Sequence, residues 1–120
     1  MKIIFTTSGA TLDAPLDPSF GRARNFLLYD LECEAFDIIS NQQNLNAAQG
    51  AGIQAAQTIA KAGAQALVTG HCGPKAFRVL EAAAIKVFST DAPTVAEALA
   101  RYRAGELTEA KSANVEGHWA

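Results

Sequence analysis

The stretch ALVTGHCGPKAFRVLEAAAIKVF, residues 66–88, decides the fold because it reads as strand, helix and strand in succession. The apolar run at 66–69 is typical of a buried strand, and Pro74 suits the first position of the helix that follows. A second apolar run at 85–88 predicts the next strand. Strands joined by a helical crossover pair in parallel, so this stretch predicts a βαβ unit.

Three further apolar runs lie before this unit and predict strands. Residues 3–5 (IIF) are mostly β-branched, which is typical of a central strand. Residues 26–29 and 35–39 are joined by a connection short enough for a hairpin, so we expect these two strands to be antiparallel. Residues 8–21 contain two prolines and two glycines, which predicts a long loop and makes that loop a candidate lid.

Two more helices are indicated on either side of the βαβ unit. Residues 47–62 are rich in Ala and Gln, carry apolar residues at helical spacing, and are followed by Gly63, a typical helix terminator. Thr94 and Glu97 match a capping box, in which the two side chains satisfy exposed N–H groups reciprocally. Gly105 marks the end of that helix.

The element order βββαβαβα predicts the fold class. It combines an antiparallel hairpin with parallel βαβ units, so we expect an α/β fold with a mixed five-stranded sheet and three helices. Residues 1–107 are predicted to form a single domain. Residues 108–120 show weak periodicity and are predicted to be a flexible C-terminal tail.

Composition restricts the function classes. The chain has 120 residues, is 49% hydrophobic and carries a net charge of −2, which argues against nucleic-acid binding through bulk positive charge. No apolar run reaches the roughly 20 residues of a membrane span, and we find no targeting segment. Two cysteines are too few for a disulfide framework. We therefore expect reduced thiols and a cytoplasmic protein that binds neither nucleic acid nor membrane.

Candidate metal contacts lie in the turn GHCG at residues 70–73. Thiolate and imidazole groups suit copper, zinc or iron–sulfur units, and a helix N-terminus attracts anions and lowers the pKa of a nearby thiol. We therefore assign His71 and Cys72 as candidate metal contacts, with Gly70 and Gly73 as backbone parts of a cofactor site. The alternative is that Cys72 is a small buried residue and His71 an ordinary turn residue.

A second candidate element is the predicted helix start around Gly50 and Gly52. Together with Ala55 these glycines spell G-x-G-x-x-A, but a dinucleotide site needs a strand directly before the motif and an acid about 20 residues later, and both are missing. What remains is a helix start whose glycines let a bulky anion approach backbone N–H groups. Tight helix packing is the alternative.

Basic residues complete the candidate anion site. Arg22 and Arg24 flank one small residue and can clamp an anion through charge-assisted hydrogen bonds. The alternative is a solvated pair that balances Asp17 and Asp30. Lys75, one residue after the predicted helix start, either joins this clamp or faces water.

Three elements carry a resemblance to a known family: DPSFGR at 17–22, GAG at 50–52 and G-x-x-G-P at 70–74. In this order they make the chain resemble the dinitrogenase iron–molybdenum cofactor family over about residues 2–107. The resemblance implies a ribonuclease H-like fold and a protein that carries or binds molybdenum-containing metal–sulfur clusters. The family often has a histidine or another candidate ligand in the long loop, whereas residues 8–21 contain neither His nor Cys.

The resemblance also implies a function. A family member of similar length from sulfate-reducing bacteria binds an anionic molybdenum–copper sulfide cluster without ordinary covalent attachment, so we expect a non-catalytic carrier of such a cluster. Family members in nitrogenase assembly would carry the iron–molybdenum cofactor or its precursor instead. Two other classes stay open: a regulatory module that binds an ATPase or assembly partner, and a small thiol enzyme that uses Cys72. No motif pairs a hydroxyl nucleophile with a base, so the residues do not favour an enzyme.

Overall fold

A computed structural model of the protein describes residues 1–42 and 50–110, within which the chain forms six strands and three helices. The strands are Lys2–Thr7 (β1), Asn25–Asp30 (β2), Phe36–Ser40 (β3), Ala66–Thr69 (β4), Lys86–Ser89 (β5) and Thr108–Glu109 (β6). The helices are Ala51–Lys61 (α1), Pro74–Ala82 (α2) and Val95–Arg103 (α3).

The strands form one mixed sheet in the order β3-β2-β1-β4-β5-β6. Strand β2 pairs antiparallel with both β1 and β3, and its pairing with β3 confirms the predicted hairpin. Strand β4 pairs in parallel with both β1 and β5, which confirms the predicted parallel βαβ arrangement. As a result, β1, β3, β4 and β5 all point their carboxyl ends toward the same edge of the sheet.

The sheet has six strands, so the prediction of five is wrong. The additional strand β6 pairs antiparallel with Phe88 and Ser89 of β5. It spans two residues, too few to show any alternation in the sequence, and it exists only because a distant strand edge is available to pair with. Thr108 and Glu109, from the predicted tail, therefore belong to the sheet, and residues 111–120 lie outside the described part of the chain. The ribonuclease H-like designation and the single-domain boundary stay predictions.

Helix α1 follows the predicted segment closely. It spans Ala51–Lys61, and the first three residues of the predicted helix, 47–49, lie outside the described residues. At its other end the chain reverses through Gly63, which has a φ of 85°. That left-handed conformation favours glycine, so the predicted terminator is confirmed.

Two apolar clusters cover the two faces of the sheet. Because successive strand side chains point to opposite faces, Ile4 packs with α1 and α2, while Ile3 and Phe5 pack with α3. The described residues thus form three layers, with α1 and α2 on one face of the sheet and α3 on the other. Burial of each large apolar side chain in these clusters stabilises the fold by about 1.5–3 kcal/mol relative to leaving it exposed to water.

The loop at residues 8–21 is anchored by backbone hydrogen bonds, and its interpretation as a lid stays a prediction. The N–H of Asp17 donates to the carbonyl of Thr6 over 2.8 Å. Two carbonyls of the same loop, those of Leu12 and Ala14, accept from the first N–H groups of α3 over 2.8 and 3.0 Å. These bonds fix the loop to the sheet edge and to a helix at the same time.

Candidate functional site

A cavity of about 420 Å³ lies at the sheet edge to which the parallel strands point. Its walls come from three segments that follow different strands: residues 20–22 after β1, residues 50–53 at the start of α1, and residues 73–76 at the start of α2. Crevices outside the carboxyl ends of parallel strands are favoured binding places because loops and helix starts converge there. We call this space the cationic cavity.

The charged side chains that line the cationic cavity are Arg22 and Lys75. Among its lining residues in the described part of the chain there is no Asp or Glu. The remaining side chains at the wall are apolar, and Phe20 and Ile53 are the largest of them. The cavity therefore combines positive charge with an apolar wall.

Two helices begin at this cavity with glycine caps. Gly50 precedes α1 in a left-handed conformation with a φ of 80°, and Gly73 precedes α2 in an extended one; neither start has a side-chain cap. The helical hydrogen bonds begin at Gln54, whose N–H donates to Gly50, and at Phe77, whose N–H donates to Gly73. The earlier N–H groups of both helices have no intrahelical acceptor, and they add positive potential at the cavity.

Glycine allows a close approach where these segments meet. A Cβ atom on Gly21 would lie 3.0 Å from the backbone N of Gly52, and a Cβ atom on Gly52 would lie 3.1 Å from the Cβ of Ala76. The loop thus packs closely against the start of α1, and the start of α1 packs closely against α2. The alternative of tight helix packing is correct for Gly52, and the same packing forms the cavity.

Five of the predicted site residues come together here, and four do not. Those at the cavity are Arg22, Gly50, Gly52, Gly73 and Lys75. Those outside its lining are Arg24, Gly70, His71 and Cys72. Lys75 thus takes the place beside Arg22 that the sequence suggested for Arg24, which is exposed elsewhere on the same segment. The assignment of all nine residues to a cofactor site remains a prediction.

Gly70 and His71 belong to a crossing between two loops. The N–H of His71 donates to the carbonyl of Pro18 over 2.6 Å, and the N–H of Phe20 donates back to the carbonyl of His71 over 3.2 Å. A Cβ atom on Gly70 would lie 2.8 Å from the Cα of Pro18, so only glycine fits this close approach. The crossing separates the cationic cavity from a second cleft.

This second cleft has a volume of about 660 Å³ and differs in charge from the cationic cavity. The exposed His71 lies at its wall, beside Asp91 and Arg101. Arg101 donates to Asp91 over 2.9 Å and to Glu97 over 3.2 Å. Because these carboxylates offset the guanidinium charge, the second cleft is mixed in charge where the first is cationic.

Cys72 is buried, at 2% exposure, in the apolar cluster beneath α1 and α2. Burial raises the pKa of its thiol to about 12, because a thiolate there would lose its hydration. The expectation that the helix start lowers this pKa is therefore wrong. Its Sγ lies 3.7 Å from the carbonyl oxygen of Gly73. Cys33, in contrast, is exposed.

Within residues 1–42 and 50–110, no group of three or more His, Cys, Asp or Glu side chains is placed to hold a metal ion. Over the same residues, the helices are too short or too polar to cross a membrane.

The apolar wall was missing from the predicted site. Phe20, at 2% exposure, belongs to the DPSFGR segment, and Ile53 belongs to the predicted helix at 47–62, and neither pattern predicted a place at the wall of a site. The available signal was position, since Phe20 directly precedes Gly21 and Arg22. An apolar residue next to a cationic one at a loop end does not reveal whether it faces the core or a cavity.

The fold and the cavity define a class: a small α/β protein with a cationic crevice at the carboxyl ends of its strands. The model of the dinitrogenase iron–molybdenum cofactor family matches residues 1–105, and the chain belongs to this family. The resemblance drawn from the three sequence elements is thereby confirmed.

Individual relatives agree with this assignment. The apo form of the orange protein from Desulfovibrio gigas is similar at 41% identity and a TM-score of 0.92, over 95% of this chain and 96% of that one. A candidate NifB protein from Thermotoga shares 28% identity at a TM-score of 0.84, over 97% and 98% of the two chains. An uncharacterized protein of Methanocaldococcus jannaschii is 30% identical over 95 residues, which are 77% of this chain and 80% of its own.

Proposed function

We propose that this protein is a non-catalytic carrier that holds an anionic, molybdenum-containing metal–sulfur cluster in the cationic cavity. The observation that carries the proposal is the cavity itself: two cationic side chains and two helix starts around an apolar wall, without an acidic lining residue in the described chain. Such a lining suits a cargo that is negatively charged and presents soft, weakly hydrated sulfur atoms at its surface.

The side chains contribute more to binding than the helix starts. A hydrogen bond to a charged group contributes about 1.5–3 kcal/mol, whereas a helix N-terminus contributes about 0.3–1 kcal/mol to a nearby anion. Arg22 and Lys75 therefore supply most of the affinity in this proposal. The starts of α1 and α2 set the position of the anion between them.

A molybdenum–copper sulfide cluster is the first cargo we propose. The orange protein is the family member whose molybdenum–copper sulfide cluster was described with the sequence resemblance. It is similar to this chain over nearly its whole length. The name of the family and the similar NifB candidate support a second cargo, the iron–molybdenum cofactor or its precursor. Both are anionic metal–sulfur clusters, so the same cavity serves either.

We assign no bond between protein and metal to the binding of this cargo. Cys72 is protonated at neutral pH, since its pKa is about 12, and it belongs to the apolar cluster beneath the helices. His71 lies in the second cleft, across the loop crossing. In this proposal both residues shape the walls, while the cargo is held by charge and hydrogen bonds. Both cysteines are free thiols, which suits a carrier that works in the cytoplasm.

The test is reconstitution of the metal-free protein. The protein is mixed with tetrathiomolybdate, with and without copper, then desalted, and its visible spectrum and metal content are recorded. A coloured protein that retains molybdenum and copper together supports the carrier and its first cargo.

A protein that is folded by circular dichroism but retains no metal excludes the first cargo. The same measurement with isolated iron–molybdenum cofactor then tests the second cargo. Failure of both overturns the carrier proposal and leaves the interaction module, with an ATPase or assembly partner, to be tested by direct binding.

A further inference from the structure

Asn41 is a polar residue that is completely buried directly after β3. Its Nδ2 donates to the carbonyl of Gly21 over 3.2 Å and to the carbonyl of Ala23 over 2.7 Å. Its backbone N–H donates to the carbonyl of Arg24 over 2.9 Å. Buried amides are retained where their hydrogen bonds are made, and these three bonds all go to one short segment.

The segment that Asn41 holds is the one that carries Arg22. The two accepting carbonyls belong to Gly21 and Ala23, the residues directly before and after Arg22, so the amide fixes the backbone on both sides of the arginine. On its other side Gly21 packs against the start of α1, where a Cβ atom would lie 3.0 Å from the backbone N of Gly52. The segment is thus held between the end of β3 and the start of α1.

We infer that Asn41 is a positioning residue, which acts on the cargo only through Arg22. The inference rests on the proposed function, because it takes the cationic cavity as the place where cargo binds. A long side chain such as arginine loses rotamer freedom when it binds, and a fixed backbone leaves less freedom to lose. Precise positioning of a first contact by a second layer of packed residues is the general way in which binding sites keep their geometry.

A purely structural role for Asn41 is the alternative, and the chain offers a matched control for it. Asn25 is half-buried, and its Nδ2 donates to the carbonyl of Gly9 over 2.8 Å. It therefore also ties a loop carbonyl to a strand, but at a residue that does not line the cationic cavity. Asn25→Ala removes a comparable bond without touching Arg22.

The experiment is a double-mutant cycle on cluster retention, with tetrathiomolybdate plus copper as the probe. We expect Asn41→Ala to weaken retention about tenfold, the factor that corresponds to loss of a buried hydrogen bond. In an Arg22→Ala background, Asn41→Ala should cause almost no further loss, because the residue it positions is gone. Asn25→Ala should leave both the retention and the visible spectrum of the bound cluster unchanged.

Three results would overturn the inference. Full retention by Asn41→Ala excludes a role in binding, and losses that multiply in the double variant show that Asn41 acts independently of Arg22. An equal loss in Asn25→Ala shows a general effect of loop anchoring. Should Asn41→Ala fail to fold, Asn41→Ser keeps one donor, and we expect it to retain the cluster at a level between wild type and Arg22→Ala.

The failure of the proposed function can be recognised separately. It is seen when the wild-type protein itself retains no cluster. The positional half of the inference is then decided by amide hydrogen exchange: Asn41→Ala should speed exchange in residues 22–24 about tenfold, while Asn25→Ala leaves them unchanged. Unchanged exchange in both variants would overturn it.

Discussion

All three helices begin with backbone N–H groups that lack an intrahelical acceptor, but the start of α3 differs from the starts of α1 and α2 in what lies opposite these groups. At α3 the Oγ1 of Thr94 accepts from the N–H of Glu97 over 3.1 Å. The carbonyls of Ala14 and Leu12 accept from the first two helical N–H groups, those of Val95 and Ala96. This start is satisfied by the chain itself, and it anchors the long loop.

The starts of α1 and α2 have glycine caps instead, and they face the cationic cavity. Neither has a side-chain cap, and Arg22 and Lys75 stand beside them. A helix start that is capped from within serves the fold, whereas paired starts that face cations and an apolar wall are arranged for a negatively charged guest. The comparison predicts different consequences when each start is disturbed.

The largest effect is expected from the double variant Arg22→Ala with Lys75→Ala. Each side chain makes a charge-assisted interaction with the cargo worth about 1.5–3 kcal/mol, so their joint loss should weaken cluster retention about hundredfold or more. Both side chains are exposed in the protein, so the free energy of unfolding should change little. The measurement is molybdenum content after desalting, alongside urea unfolding.

A charge-matched control separates local charge from net charge. Arg24→Ala with Lys86→Ala removes the same two charges, but neither residue lines the cationic cavity. We expect this control to keep the cluster. Equal losses in the two double variants would mean that general surface charge, and not the pair of open helix starts, retains the cargo.

The next effect is expected where the loop presses on α1. A Cβ atom in Gly21→Ala would lie 3.0 Å from the backbone N of Gly52, and backbone cannot move aside as a side-chain tip can. We expect about 2 kcal/mol of lost stability together with weaker retention, because Arg22 shifts with the loop. Thermal unfolding and reconstitution measure the two quantities.

Gly63→Ala is the matched control for this variant. It forces alanine to a φ of 85° at the end of α1, away from the cavity, and costs about 1 kcal/mol. It should destabilise the protein without affecting the retention of cluster. If Gly63→Ala loses cargo as readily as Gly21→Ala, retention simply follows global stability.

A smaller effect is expected on the pH dependence of stability, and it shows whether the start of α2 acts on the thiol of Cys72. Burial raises the pKa of this thiol to about 12 from its ordinary value of 9.0, so the folded state binds the proton more strongly than the unfolded state. The resulting stability is fully present below pH 9 and is lost as the pH rises toward 12. Over this range the free energy of unfolding falls by up to about 1.4 kcal/mol per pH unit.

Urea unfolding between pH 8 and pH 11 measures this slope. We expect Cys72→Ala to flatten it, whereas Cys33→Ala, at an exposed position, should leave it unchanged. If stability instead rose with pH in this range because of Cys72, the helix start would dominate over burial. The α2 start would then act on the protein's own thiol.

Local patterns explain which parts of this structure could be predicted from the sequence. The βαβ stretch at 66–88 and the N-cap at Thr94 depend on residues close together in the chain, and both are present. The other half of the predicted capping box differs, since the Glu97 carboxylate accepts from Arg101. Strand β6 was missed because its two residues pair only through a distant strand. The tertiary structure, not the local sequence, decides such short elements.

The candidate site shows the same division. The glycine-led helix starts could be predicted, because Gly50 and Gly73 are local signals. For the cationic partner of Arg22 the sequence offered both Arg24 and Lys75 and could not choose between them. Lys75 lies with Arg22 at the cavity because loop and helix converge there. The sequence likewise left Cys72 open between a metal contact and a small buried residue, because its burial depends on the helices that pack over the turn.

The smallest effect is expected at the capped start of α3, and it decides whether the comparison holds. Thr94→Ala removes the hydroxyl that accepts from Glu97, and loss of a helix cap costs about 1 kcal/mol of stability. Thr94→Ser keeps the hydroxyl and should keep the stability. Both variants should retain the cluster as well as the wild type does.

The retention result matters because the capped start and the cavity share a loop. The loop whose carbonyls at Leu12 and Ala14 bond to α3 continues to Phe20 and Arg22 at the cavity wall. Between them the Thr6 hydroxyl donates to the carbonyl of Asp17 over 2.6 Å, which anchors this part of the loop to β1. Loss of cargo in Thr94→Ala would show that this anchor is insufficient, and that α3 belongs to the binding site as well as to the fold.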